Sequence, residues 1–219
     1  IGLRSDTTKS FAKARIGAIG AHGSVAGITA GRGRSPQVWA LLLGAECFSV
    51  SLFWLAPGVD DGPLLATETF ALTPFDDIRS SLLKTARTVA RLLNEAIADD
   101  PEHLKARRLP QRDTAYYWPK RLPQDGALDW RRTTAELYNF IRAQTKPYPG
   151  AFCALPSSGG ELRIWRAKPF DTNRPPSLPA GTIVLRQFCG AFLVATGDGL
   201  LLIEEYEFSK ADSRLPEAG

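Results

Sequence analysis

The chain has 219 residues, enough for one large domain or two small ones, and its 44% hydrophobic and 23% charged content is that of an ordinary globular protein. Its longest apolar run, Val38 to Leu43, falls far short of the roughly 18 residues a membrane-spanning helix needs. The formal charge of +4 permits an anionic partner, such as a nucleotide sugar, a folate tail or RNA, without singling one out.

The chain begins with Ile and contains no Met, which reads as an internal piece of a longer protein. No basic segment followed by an apolar core marks a secretion signal. Three widely spaced cysteines, Cys47, Cys153 and Cys189, argue against a disulfide framework or a zinc site and fit a reducing compartment. The expectation is a cytoplasmic protein with three small, buried, apolar thiols.

Ile1 to Leu3 suits the stub of a strand or loop, and Lys9 to Arg15 a short helix. Gly17 to Ala21 is apolar and glycine-punctuated, as a short buried strand would be, and it ends at His22. Ligands of open α/β sheets collect at the carboxyl ends of strands. Gly23 to Gly31 reads as a loop. Ser35-Pro36 starts a helix through Leu43, and Gly44 stops it. Phe48 to Leu55 and Leu64 to Leu72 read as strands of a hairpin, with Asp60 near its tip. Ile78, Leu82, Val89, Leu92, Leu93 and Ile97 recur at helical steps, which predicts a helix over 78–97, ended by Asp100-Pro101.

Glu102 to Pro110 is charged and reads as a linker, with His103 and the Lys105–Arg108 cluster in water. Thr114 to Trp118 is aromatic and extended. A second helix is expected over 133–143, with Thr133 or Thr134 as N-cap and Glu136 in its first turn. Short apolar runs follow at 151–155, 161–167, 182–188, 190–196 and 199–208, interrupted by a Pro-rich loop at 169–181. That spacing indicates a small all-β barrel or sandwich.

His22 is one of two histidines and the one in a glycine-rich setting. A lone histidine is more often structural than catalytic. An aspartate in a Pro-Gly turn usually serves the turn, a role open to Asp61 as well as Asp60. Arg32-Gly33-Arg34 suits either an anion or a fixed loop. Lys120 and Arg121, after Tyr116, Tyr117 and Trp118, suit base stacking or an aromatic anchor between domains. Residue patterns alone leave each of these open.

The ordered blocks His-Gly-Ser (22–24), Arg-Gly-Arg-Ser-Pro (32–36), Trp39-Ala and Gly-Val-Asp-Asp-Gly-Pro (58–63) resemble the folate-dependent formyltransferases. That family includes the methionyl-tRNA and sugar-nucleotide N-formyltransferases. Gly126-Ala-Leu-Asp-Trp, Ile141-Arg-Ala and Pro147-Tyr-Pro-Gly-Ala-Phe extend the resemblance, which covers about residues 2 to 208. It implies an α/β fold: the latter part of a Rossmann-like formyltransferase domain (1–104), a linker (105–125), and a small C-terminal OB-like β-barrel domain with a leading helix (126–212).

The resemblance also implies a chemistry. A neutral amine attacks the formyl carbon of N10-formyltetrahydrofolate, with His22 as general base or as stabiliser of the tetrahedral intermediate, and Asp60 orienting it and helping to pass the proton to the leaving folate nitrogen. Ser24, Arg32, Gly58 and Asp61 are the implied cosubstrate-binding residues, Lys120 and Arg121 the implied substrate-binding ones, and no metal is involved. A nucleotide-linked amino sugar is the first expected acceptor. Methionyl-tRNA is the alternative, and a non-catalytic or hydrolase-type relative is a third reading. Two departures stand out. Gly20 occupies the position where the family carries an Asn, and the loop after His22 reads Val-Ala-Gly-Ile-Thr-Ala-Gly in place of Leu-Pro and two further residues.

Overall fold

The structure is a computed structural model that describes residues 14–155, 159–171, 178–210 and 214–216. The expectations for Ile1 to Leu3 and most of Lys9 to Arg15 lie outside these residues. The chain divides into two compact units, one of residues up to 121 apart from 41–44 and 77–79, the other made of those two short stretches and the residues from 122.

The first unit is built on a three-stranded antiparallel sheet in the order β1-β3-β4, with β1 Ile19–Ser24, β3 Cys47–Trp54 and β4 Leu64–Ala71. β3 is central and buried along its whole length except at Cys47. The hairpin of β3 and β4 forms as its sequence predicts, with Asp60 in the connection. β1 runs later than expected, so His22 lies inside the strand, opposite Ser51 of β3. Helix α1 (Pro36–Leu42) ends at Gly44, whose φ of +65° is the left-handed stop that glycine adopts without strain. A short parallel pair joins β2 (Ala30–Arg32) to β5 (Tyr116–Tyr117).

Helix α2 (Ile78–Ala98) lays Leu92 and Ala96, one turn apart, on Leu52, Trp54 and Leu65 of the sheet. The charged stretch after it is not a free linker. Pro101–Ala106 forms helix α3, because Asp100 caps the amides of Glu102 and His103 and Pro101 fits the first turn. The same Asp-Pro pair that ends α2 therefore starts α3. Leu104 anchors α3 in the core beside Trp54. His103 is exposed, as expected, with Nδ1 2.7 Å from Asp99.

Asp76 is buried just before α2. It accepts from the Thr73 amide and hydroxyl (2.7 and 2.9 Å), Ser80 (2.8 Å) and Lys84 (2.6 Å). Burial alone would push its carboxyl up, but Lys84, the Thr73 amide and the two hydroxyls outweigh burial and hold it at about 2. Asp76→Asn is expected to cost about 1.5–3 kcal/mol at neutral pH. The difference from the parent should shrink as pH falls from about 4 toward about 2, where the native carboxylate protonates. Urea melts at pH 7 and pH 3 measure both.

In the second unit, β6 (Ala151–Leu155), β7 (Gly160–Asp171), β8 (Ile183–Arg186), β9 (Phe192–Ala195) and β10 (Leu200–Phe208) form one antiparallel sheet in the order β6-β7-β10-β9-β8. Among the described residues no ladder joins β6 to β8, so the closed barrel expected from the strand spacing is not drawn. β7 continues through Asp171, so the Pro-rich interruption begins later than predicted. Residues 172–177 of that interruption lie outside the described ones.

Helix α4 (Thr134–Gln144) starts as the sequence predicts. Thr133 Oγ1 accepts from the Glu136 amide, and the Glu136 carboxylate accepts from the Thr133 amide. Leu137, Phe140 and Ile141 form its apolar stripe and pack with Ile164, Leu201 and Ile203 of the sheet. The cysteine expectation is corrected. Cys47 and Cys189 are exposed at a strand end and a turn, and Cys153 is half-buried, its thiol pushed up by burial.

Candidate active site

The site begins with two glycines on either side of His22. A Cβ at Gly20 would lie 2.7 Å from Leu55 Cδ2 and 2.8 Å from Phe53 Cζ. A Cβ at Gly23 would meet the Phe48 ring. Without side chains at 20 and 23, the aromatic residues of β3 close against β1, and the imidazole emerges between bare stretches of backbone. Position 20 has no room for a branched amide while Phe53 and Leu55 keep their places.

Asp60 reaches the histidine from the β3–β4 connection. Its φ of +53° is the one positive value at a non-glycine among the described residues. Such a conformation costs of order 1 kcal/mol or more and persists only where surrounding contacts over-determine it. Those contacts are present. Gln111 Nε2 donates to the carbonyls of Asp60 (2.9 Å) and Gly62 (2.7 Å). Arg32 donates to the carbonyl of Val59 (3.1 Å) and to Gln111 Oε1 (2.5 Å). The Trp54 amide donates to Pro63 (2.9 Å), closing the base of the turn.

His22 Nδ1 and Asp60 Oδ2 come within 3.3 Å, with side chains 12% and 21% exposed. The carboxylate favours the ring proton on Nδ1, which leaves a lone pair on Nε2. Nε2 is buried and has no hydrogen-bond partner among the described residues. Burial lowers the pKa of His22 below its usual 6.5; Asp60 opposes this and Arg32 adds to it. The imidazole is therefore mainly neutral near pH 7, the form in which it accepts a proton.

The pair faces a cavity of about 630 Å³, within the range of small-molecule sites. Gly20, Gly23 and Gly33 give it backbone walls, Phe53 and Leu55 an apolar side, Asp60 and Arg34 its charged groups, and His22 its imidazole. Among the described residues no group of His, Cys, Asp and Glu could hold a metal ion.

The other residues singled out in the sequence do not line this cavity. Ser24 is buried and its hydroxyl donates to the Gly27 carbonyl. Arg32 is buried, its donors directed to Ile28, Val59, Tyr117 and Gln111, so it braces the Asp60 turn. Gly58 has no side chain because the Asp61 carboxylate covers that spot, which gives Asp61 the turn role. Lys120 is exposed, and Arg121 sits 5.5 Å over the Trp39 ring, which stacks on Trp118. Arg34, weighed only as part of an anion loop, does line the cavity. Gln111 carried no signal in the sequence, since a glutamine in a polar stretch follows no periodicity.

Residues 121–214 match the family model of the formyl transferase C-terminal domain. The chain is 34% identical over 193 residues to a methionyl-tRNA formyltransferase of Symbiobacterium thermophilum, an alignment that covers 88% of this chain and 57% of that one. The chain thus spans little more than half the length of this relative. In fold it is similar to HypX from Aquifex aeolicus, solved with tetrahydrofolic acid, at a TM-score of 0.66 and 21% identity over 88% of this chain and 32% of that one. It is also similar to an N-formyltransferase from Helicobacter canadensis, solved with folinic acid and dTDP-3-aminofucose. There the TM-score is 0.59 and the identity 15%, over 85% of this chain and 66% of that one.

Proposed function

We propose that the chain belongs to the formyltransferase family and contributes the acid–base centre for formyl transfer from N10-formyltetrahydrofolate to a primary amine. The observation that carries this reading is the His22 imidazole, held by Asp60 through Nδ1, with Nε2 unpartnered and the residue in the wall of the cavity. The cosubstrate supplies an electrophilic formyl carbon. The cavity's size and its glycine walls suit a flat ring brought close to backbone, so the residues present fit it.

His22 Nε2 takes the proton that the attacking amine must lose, since an ammonium ion has no lone pair to attack with. Asp60 fixes the ring orientation and stabilises the imidazolium, which gives the proton to the departing folate nitrogen as its bond to the formyl carbon breaks. Phe53 and Leu55 exclude water from one side, and Arg34 offers a positive charge to an anionic part of either substrate. The readings of Ser24, Arg32, Gly58 and Asp61 as direct cosubstrate contacts give way to roles in shaping the walls. Lys120 and Arg121 remain candidates for the acceptor side.

The acceptor is a primary amine on a phosphate-bearing molecule, which the charge of +4 suits. A nucleotide-linked amino sugar is the first acceptor to test. Methionyl-tRNA is the second, favoured by the 34% identity to the Symbiobacterium enzyme. The test supplies N10-formyltetrahydrofolate with a panel of amino-sugar nucleotides and with methionyl-tRNA. It is run on the 219-residue chain and on the full product of its gene. Formyl-amine formation is the expected result. Tetrahydrofolate release without any acceptor would replace transfer with hydrolysis, and neither product from the full gene product would overturn the reading.

A further inference from the structure

We propose that Gln111 is a positioning residue for the His22–Asp60 pair, clamping the left-handed turn at Asp60 so that its carboxylate faces Nδ1. The clamp has two halves. Gln111 Nε2 gives its two hydrogens to two carbonyls of the same loop, those of Asp60 and Gly62. Gln111 Oε1 is in turn held by Arg32, which also holds Val59. Residues 59, 60 and 62 are therefore all gripped from one side, through backbone atoms that no change of side chain in the loop can replace.

The geometry needs such a grip. Asp60 sits in a backbone conformation that an L-residue leaves when nothing holds it. The carbonyl of Asp60 takes its hydrogen bond from outside its own hairpin. The donor is Gln111, brought in by the pairing of Leu109 with Leu64 at the start of β4 (2.7 and 2.9 Å). Trp54 Nε1, bonded to the Arg107 carbonyl (2.9 Å), fixes the same stretch four residues earlier. Gln111 touches neither the cavity nor the imidazole, so its effect on His22 passes through Asp60.

The catalytic meaning of this clamp rests on the formyl-transfer reading; its geometry does not, and the experiment separates the two. The charged groups around His22 among the described residues are Asp60, Arg32 and Arg34. Asp60 alone raises the pKa of His22, so a carboxylate that drifts away leaves His22 harder to protonate. The measurement is an NMR titration of the His22 ring in the folded 219-residue chain, with His103→Gln used to assign the second histidine. Asp60→Asn sets the full size of the carboxylate's pull.

Gln111→Met keeps the length, adds no charge and removes both donors; Gln111→Ala serves as the second variant. Each should lower the His22 pKa in the direction of Asp60→Asn, by up to about 1 unit. In the Asp60→Asn background neither should move it further. A wild-type titration in folded Gln111→Met and Gln111→Ala overturns the proposal, and so does a shift that persists undiminished without the Asp60 carboxylate. Where transfer is measurable, kcat should fall with KM nearly unchanged. The pKa result with no transfer by the parent would remove the formyl-transfer reading and leave the clamp in place.

Discussion

His22→Gln is expected to lower kcat/KM for formyl transfer by about 10²–10⁴-fold. The replacement keeps a polar group of similar reach but cannot accept a proton near neutral pH. The parent should gain rate as pH rises through the lowered pKa of His22, below 6.5, and then level off. The variant should lack that rising limb. Stability follows the same group. Because the folded protein resists protonating His22, the unfolded chain binds the extra proton as pH drops below about 6.5, and the native state loses ground there. His22→Gln should therefore be less sensitive to acid as pH drops below about 6.5. A pH series of initial rates and of urea melts tests both; a variant that retains the parent's rates ends the assignment of His22 as base.

The second large effect is expected at Gly62, a position chosen by backbone packing. A methyl group there would land on the carbonyl oxygen of Trp54, and a backbone oxygen of a paired strand cannot rotate away. Gly62→Ala must push the loop off β3, at a cost of about 1–3 kcal/mol or more. In a chain of this size that is about 2–4 °C of Tm per kcal/mol. The Gly62 carbonyl is also one of the two held by Gln111, so the displaced loop carries Asp60 with it. Activity should fall at least as far as in Asp60→Asn, with Tm lowered. A melt and a rate indistinguishable from the parent would mean that the loop tolerates a second conformation with Asp60 still in place.

Much of this architecture is legible in the residues themselves. The long helix announces itself by apolar steps of three and four, and the capping box at Thr133 and Glu136 by type and spacing. The hairpin with Asp60 at its tip follows from two runs of strand formers around a Pro-Gly turn. What escaped has physical causes. Asp-Pro signals a helix end and a helix start alike, and here the Asp100 cap together with the burial of Leu104 makes it both. Strand spacing predicts strands but not whether their outer edges meet. His22 and Asp60 were found through a resemblance spread over ordered blocks, since neither stands out by periodicity. Residue type leaves Arg32 open between an anion and a fixed loop; the fold directs its donors to oxygens of Ile28, Val59, Tyr117 and Gln111. Gln111 was invisible because its partners are backbone atoms of a distant loop, which leave no mark on residue type.

That remoteness has a consequence in time. Gln111 closes onto Asp60 across 51 residues and onto Arg32 across 79. Contacts of that span form only after the intervening chain has collapsed. During synthesis at about 5–20 residues per second, Gln111 is added about 3–10 s after Asp60. The nascent chain thus carries its histidine and aspartate through a window in which Arg32 and the Trp54 amide can hold the turn but Gln111 cannot. The Asp60 turn receives its last clamp only when the 107–111 stretch docks, and nascent chains stalled just before and just after Gln111 clears the ribosome would differ in it although both already contain His22 and Asp60.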